Sequence, residues 1–269
     1  MDKITTITST TNPKIKWVKS LHKNSTRRGE GVFLVEGAKE IAFALEGGYE
    51  PMCMFICPEI YGEVDLRAES LDLREIYNVS KEVFEKIAYR GSSDGLLTVF
   101  KAKKRTLDQL NFGESPFFII VESVEKPGNL GAIIRTADGA GADAVLICDE
   151  RTDVFNPNVI RSSVGTVFAK QVVAASSETV FDFLEKHEIA AYGAILSRDS
   201  ESYTNADFTD PTALILGTEH EGLSDFWKER VKPIVVPMLG SNDSLNVSNA
   251  AAILAYEVVR QRYDNTNLA

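Results

Sequence analysis

From Ser115 onward, short apolar runs alternate with stretches whose apolar residues recur at helical spacing. Phe117–Val121, Ala144–Cys148, Ala190–Leu196, Ala213–Leu216 and Ile234–Val236 read as strands. Leu130, Ile133, Ile134 and Ala137 mark a helix that follows a Pro-Gly turn, with Arg135 and Asp138 off its apolar stripe. A second helix follows the polar loop after Pro237 and runs through the apolar Ala250–Val259. Such alternation predicts an α/β domain, a mainly parallel sheet with helices on both faces. The earlier part of the chain reads as a smaller α/β unit. Ile15, Val18 and Leu21 share one face of a helical arm within residues 1–28; strands follow at Phe33–Gly37, Met54–Cys57, Ile76–Val79 and Gly95–Phe100. A helix passes through Ile41, Ala44 and Leu45, and Ser80 caps another that carries Val83, Phe84 and Ile87. The expected division is therefore 1–105, a linker at 106–114, and a second domain at 115–269.

Composition narrows the class. The 269 residues are 44% hydrophobic and 25% charged, as in a globular protein with room for a real core. No apolar run approaches the roughly 18 residues that a membrane span needs, and the start, Met1-Asp-Lys-Ile-Thr-Thr6, lacks a signal-peptide core, so a cytoplasmic location is expected. Cys53, Cys57 and Cys148 suggest core packing, with neither a disulfide framework nor a metal site. His22, His187 and His220 are too scattered for a metal, and His22 and His187 read as solvated. The net charge of −10 argues superficially against a nucleic-acid partner. Its distribution softens that: residues 1–105 carry 17 Lys and Arg against 15 Asp and Glu, the remainder 12 against 24. Lys14, Lys16, Lys19, Lys23, Arg27 and Arg28 form a basic run suited to phosphates, or else a solvated helix face.

Three segments carry the candidate chemistry. Each begins at the end of a strand, where open α/β sheets bind ligands. The first includes Pro127-Gly-Asn-Leu-Gly-Ala-Ile-Ile-Arg-Thr136, the second Leu216-Gly-Thr-Glu-His-Glu-Gly-Leu223. The third is Val236-Pro-Met-Leu-Gly240 with Ser244-Leu-Asn-Val-Ser248 and the closing Tyr256-Glu-Val-Val-Arg-Gln261. Gly217 and Gly240 let backbone approach a ligand closely. Ser244, Asn246, Ser248 and Asn249 are all placed to cap the last helix or to reach a ligand beside it.

In order and spacing these segments resemble the three motifs of the SpoU (TrmH-type) RNA ribose methyltransferases of the SPOUT class. Phe33-Leu-Val-Glu-Gly37, Val79-Ser80 and Gly95-Leu-Leu-Thr-Val99 are similar to the L30e-like domain that precedes many of them. Ser92-Ser-Asp94 departs from that domain's usual Thr-Pro-Gln-like lead into its last strand. The resemblance implies a C-terminal SPOUT-type α/β fold with a deep trefoil knot, a rare exception to unknotted topology. It also implies a homodimer packed through the first and last catalytic helices.

The implied reaction is S-adenosylmethionine-dependent methylation of a ribose 2′-hydroxyl in RNA, with 23S ribosomal RNA ahead of transfer RNA. Leu196, Gly217, Val236, Met238 and Leu245 would hold the cofactor. Arg135 would act on the 2′-hydroxyl, as base or as stabiliser of the alkoxide; Asn129, Glu219, Ser244 and Asn246 would orient and shape the acceptor side. Read singly, these residues have plainer uses, as helix caps, turn residues, core packing or surface charges. A non-catalytic RNA-binding or assembly factor on the same scaffold is the alternative. A nucleotide-dependent oxidoreductase is disfavoured, because Gly128-Asn-Leu-Gly131 lacks the G-x-G-x-x-G spacing.

Overall fold

A computed structural model describes residues 4–62, 75–89, 94–218 and 221–263. Chain compactness divides it into two units, Met1–Lys103 with Asp153–Ala169, and Lys104–Thr152 with Lys170–Ala269. The stretch Asp153–Ala169, which a linear division gives to the second block, thus packs with the first.

The first unit contains β1 (Thr5–Ile7), α1 (Pro13–Ser20), α2 (Asn24–Glu30), β2 (Val32–Glu36), α3 (Ala38–Glu46), β3 (Pro51–Ile56), α4 (Pro58–Tyr61), β4 (Ile76–Val79), α5 (Lys81–Ile87) and β5 (Leu96–Lys101). Its sheet has the order β1-β4-β3-β5-β2. β1, β4 and β3 run parallel, while β5 is antiparallel to both β3 and β2. The helical arm expected at the N-terminus is instead β1 followed by two short helices. Thr5-Thr6-Ile7 is too short and polar to announce a strand, and its place comes from parallel pairing with β4. The α1 and α5 residues Ile15, Val18, Val83, Phe84 and Ile87 join Leu34, Phe55, Leu97 and Val99 in one buried core. The later elements of this unit are α7 (Pro157–Ser162) and α8 (Thr166–Ala169). Their segment adds Phe155 and Phe168, which stack on Phe33 at 4.3 and 5.5 Å between ring centroids. Each such aromatic pair adds roughly 0.5–1.5 kcal/mol beyond its area burial.

Arg27 and Asp153 tie the same segment down. The Arg27 guanidinium, 2% exposed, donates to Asp153 Oδ2 at 2.5 Å and to the carbonyls of Leu21 and His22 at 2.9 and 3.0 Å. His22 also departs from its expected solvated position. It is half-buried, and its Nε2 lies 2.7 Å from Ile87 O. His187 is exposed, as expected.

The second unit contains β6 (Phe117–Glu122), α6 (Pro127–Gly139), β7 (Ala144–Cys148), β8 (Gln171–Ala175), α9 (Ser177–Lys186), β9 (Ala190–Ala194), β10 (Glu201–Ser202), β11 (Thr212–Leu216), α10 (Asp225–Lys228), β12 (Lys232–Val235) and α11 (Val247–Arg262). Its seven strands are all parallel, in the order β10-β12-β9-β11-β6-β7-β8. β8 and β10 lie at the two sheet edges, and neither is announced by the pattern: β8 is half-exposed, and β10 has two residues. Alternate residues of the central strands serve opposite faces. Phe118, Ile120, Leu146, Cys148 and Ile215 form one core with Val180 and Leu184 of α9 and with Trp227. α6 and α11 pack on each other and against β7 and β11. The Pro-Gly expected as a turn is the first turn of α6 itself, where proline's missing N–H costs nothing. No helix among the described residues is long and apolar enough to cross a membrane.

Candidate active site

The strand ends of the second unit build a cavity of about 600 Å³, within the usual size range of small-molecule sites. The segment after β9 contributes Ile195 and Leu196, that after β11 Gly217, Thr218 and Glu221, and that after β12 Val236, Met238, Ser244 and Leu245. All five residues expected to hold the cofactor, Leu196, Gly217, Val236, Met238 and Leu245, line it together.

Local sequence explains the wall formed by the second segment. Thr218 and Gly222 bridge in antiparallel fashion, with reciprocal N–H to carbonyl bonds of 3.0 and 3.2 Å. The turn closes because Gly222 adopts φ +68°. Gly217 lies against that turn so closely that a Cβ would come within 2.1 Å of the Gly222 carbonyl carbon and oxygen. Only a glycine fits there. Glu122, at the end of β6 and 6% exposed, accepts a hydrogen bond from Ser224 N at 2.8 Å and anchors the far side of the turn. Sequence reading passed over Glu122. Its signal was a lone carboxylate closing the apolar run Phe117–Val121.

The described candidate catalytic residues come from α6 and from the segment that leads into α11. Asn246 is the N-cap of α11: its Oδ1 accepts from Ser248 N at 2.9 Å and from Ser248 Oγ at 2.7 Å. Its Nδ2 donates to Asn129 Oδ1 at 3.3 Å, joining the first and third motifs. Ser244 lines the cavity. Arg135 is exposed on α6 and, among the described residues, makes no hydrogen bond or ion pair. Glu219 and His220 lie outside the described residues.

The basic run of the first unit is not one uniform face. Lys16, Lys19, Lys23 and Arg28 are exposed. Lys14 is partly covered, with Nζ 2.6 Å from Glu75 Oε2 and 4.8 Å from the Trp17 ring centre. Arg27 is a correction to the expected phosphate-binding set, because its buried guanidinium is engaged by Asp153 and two carbonyls. The cysteines are all buried. Burial pushes the Cys53 and Cys148 thiols up to about 12, which removes them as nucleophiles at neutral pH. Among the described residues there is no group of carboxylates, histidines or cysteines arranged to hold a metal ion.

With this geometry in view, comparisons with known proteins are decisive. Residues 116–256 match the SpoU rRNA methylase family and residues 12–98 an MRM3-like substrate-binding domain. The chain belongs to the SpoU rRNA methylase family. The family match spans every candidate cofactor and catalytic residue, and the substrate-binding match spans the basic run. A 23S rRNA (uridine(2479)-2′-O)-methyltransferase from Streptomyces viridochromogenes is 30% identical over 92% of this chain and 89% of its own. The 23S rRNA (guanosine(2553)-2′-O)-methyltransferase RlmP of Bacillus subtilis is 30% identical over 94% and 98%. The AdoMet-bound rRNA methyltransferase from Sinorhizobium meliloti superposes with a TM-score of 0.88 at 27% identity, covering 97% of this SpoU chain and 99% of that one.

Proposed function

We propose that this SpoU protein transfers a methyl group from S-adenosylmethionine to a ribose 2′-hydroxyl of 23S ribosomal RNA. The observation that carries the reading is the gathering of Leu196, Gly217, Val236, Met238 and Leu245 around one cavity, in a chain whose full-length relatives include 23S rRNA 2′-O-methyltransferases. The cavity suits a cofactor with apolar and polar parts: Leu196, Val236, Met238 and Leu245 line it together with Thr218, Glu221, Asp243 and Ser244, and Gly217 lets the strand end pack directly on the Gly222–Leu223 backbone that forms part of its wall. When bound, S-adenosylmethionine supplies an electrophilic methyl group on sulfonium.

The chain's own residues supply position and charge. Asn246 and Asn129 hold the starts of α11 and α6 together, and with Ser244 they shape the acceptor side. Orientation of this kind can account for roughly 7–11 kcal/mol of a barrier in favourable cases. Arg135 serves the 2′-oxygen. A guanidinium stays protonated at neutral pH, so it favours stabilising the developing alkoxide over removing the proton itself.

Residues 1–105, which supply most of the first unit, form the RNA-binding domain in this reading, and Lys14, Lys16, Lys19, Lys23 and Arg28 attract phosphates. The catalytic domain, 115–269, carries the trefoil knot and works as a cytoplasmic homodimer. Tyr256 on α11 and Tyr263 just after it, 53% and 49% exposed, support that helix as a dimer face. Labelled S-adenosylmethionine offered with unmodified ribosomal and transfer RNA, to wild type and Arg135→Ala, tests the function. Label on a ribose 2′-oxygen of ribosomal RNA with wild type alone is expected. Label on transfer RNA alone would reassign the substrate, and cofactor binding without transfer to either RNA would favour a non-catalytic factor.

A further inference from the structure

The first unit has a cavity of its own, of about 320 Å³, lined by none of the residues of the three motif segments. Its wall includes His22, Glu36, Glu40, Tyr89, Asp94 and Arg161. Two of the three carboxylates are engaged by backbone. Glu36 accepts from Tyr89 N at 2.6 Å, and Asp94 accepts from Ala38 N at 2.6 Å and Leu96 N at 3.3 Å. These bonds build the wall. Glu40 on α3 and Arg161 on α7 are different: among the described residues, neither has a hydrogen bond or an ion pair, although both line one cavity. The aromatic part of the wall is His22 stacked with Tyr89 at 5.9 Å and 25° between planes, and Tyr89 stays 40% exposed.

One unpaired carboxylate, one unpaired guanidinium and an aromatic surface form a specific chemical complement. Guanine alone among the four bases offers two adjacent donors, N1–H and the 2-amino group, and two adjacent acceptors, O6 and N7. We propose that this cavity receives an unstacked guanine of the RNA, with Glu40 accepting from N1–H and the 2-amino group, Arg161 donating to O6 and N7, and Tyr89 providing a stacking surface. Unstacked bases are what proteins read in single-stranded loops of RNA, by aromatic stacking and by hydrogen bonds to base edges. The exposed Lys16, Lys19 and Lys23 of the same unit supply attraction for the flanking phosphates. A cationic protein segment is the weaker candidate, because the unpaired Arg161 repels it. The proposal rests on the reading of the chain as an RNA methyltransferase and names a base that its substrate-binding unit reads.

The test uses the full-length protein and short labelled oligouridylates that carry a single central guanosine, inosine or adenosine. Fluorescence anisotropy is expected to show guanosine bound about tenfold more tightly than adenosine, with inosine, which lacks the 2-amino group, in between. Glu40→Gln should erase the difference between guanosine and inosine, and Arg161→Met should erase most of that between guanosine and adenosine. Equal affinity of the wild type for all three oligonucleotides overturns the proposal without any variant. So does a guanosine preference that survives both substitutions, or an arginine-rich peptide that binds through Glu40 while guanosine gains nothing. Methyl transfer to ribosomal RNA by the same preparation separates the two readings. Transfer without guanosine preference rejects the cavity proposal alone; preference without transfer to any RNA rejects the assigned activity alone.

Discussion

The side-chain amide of Asn246 donates to Asn129 Oδ1 at 3.3 Å, across 117 positions of sequence, while its own oxygen caps α11. One residue therefore closes a helix end and joins the first motif to the third. The two roles separate by substitution. Serine caps about as well as asparagine but has no amide to reach Asn129. Asn246→Ser should melt within a degree or two of wild type while kcat falls on the order of 10- to 100-fold, the usual cost of a small misplacement. Asn246→Ala should in addition lose about 1 kcal/mol of stability through the cap. Wild-type turnover by Asn246→Ser would show the bond to Asn129 to be idle.

Arg135 is exposed and lines no part of the cofactor cavity. Its removal should leave that cavity's walls intact. Arg135→Ala is expected to lower methyl transfer by about 100-fold or more, the scale of losing one donor to a developing oxyanion. Calorimetric titration should give a cofactor affinity within about twofold of wild type, because uniform binding and transition-state stabilisation are separable. A parallel loss of cofactor binding would refute the assigned role.

Gly217 makes the opposite prediction. Its added Cβ would meet the Gly222 carbonyl at 2.1 Å, and backbone on both sides leaves no flexible side chain to give way. Gly217→Ala must displace the 217–223 turn, at a cost of roughly 1–3 kcal/mol for overpacking. Cofactor affinity should drop about tenfold or more, since each 1.4 kcal/mol is worth a factor of about ten. Unchanged affinity would mean that the turn is not a wall of the cofactor site.

Much of this arrangement was legible because the signals are local. Short apolar runs and period-3.6 patterns marked most strands and helices, and the second and third strand-end segments, with Leu196 after β9, held residues that line the cavity. What escaped depends on distant partners. β1 is a strand only because β4 lies alongside it. Arg27 looked like one more cation in a basic run, and nothing local reveals that Asp153, 126 positions away, neutralises it. Glu122 follows the apolar run Phe117–Val121 with nothing nearby to give it a role, because its bond to Ser224 N spans 102 positions. The fate of a polar side chain is set by what the fold brings to it, which hydrophobic periodicity does not encode.

His22 links the first unit's stability to pH. Burial lowers its pKa from the ordinary 6.5, and the nearby charges of Arg27 and Lys19 act in the same direction, against the hydrogen bond to Ile87 O. A histidine with a depressed native pKa binds more protons when unfolded. Its contribution is fully present above the unfolded value and is lost as pH falls through about 6.5 towards the lower native one. Urea denaturation should show stability falling between pH 7 and pH 5, with a shallower fall in His22→Gln. An identical slope in the variant would assign the pH dependence to other groups.

The buried pair Arg27–Asp153 gives the sharpest contrast with the surface cations around it. Removing one partner leaves an uncompensated buried charge, which typically costs about 3–5 kcal/mol. Arg27→Met and Asp153→Asn should each lower the urea midpoint strongly, and Arg27→Met combined with Asp153→Leu should regain most of the loss, because apolar replacement of a buried pair is often neutral. RNA binding by the double variant should keep the wild-type salt dependence, since the Arg27 guanidinium, 2% exposed, releases no counterion. Replacing the exposed Lys16, Lys19 and Lys23 with alanine should leave the urea midpoint almost unchanged and flatten that salt dependence, by about 0.7–0.9 in log–log slope for each phosphate no longer neutralised. A flattened slope in the Arg27 double variant, with the lysines intact, would return Arg27 to the RNA-binding surface.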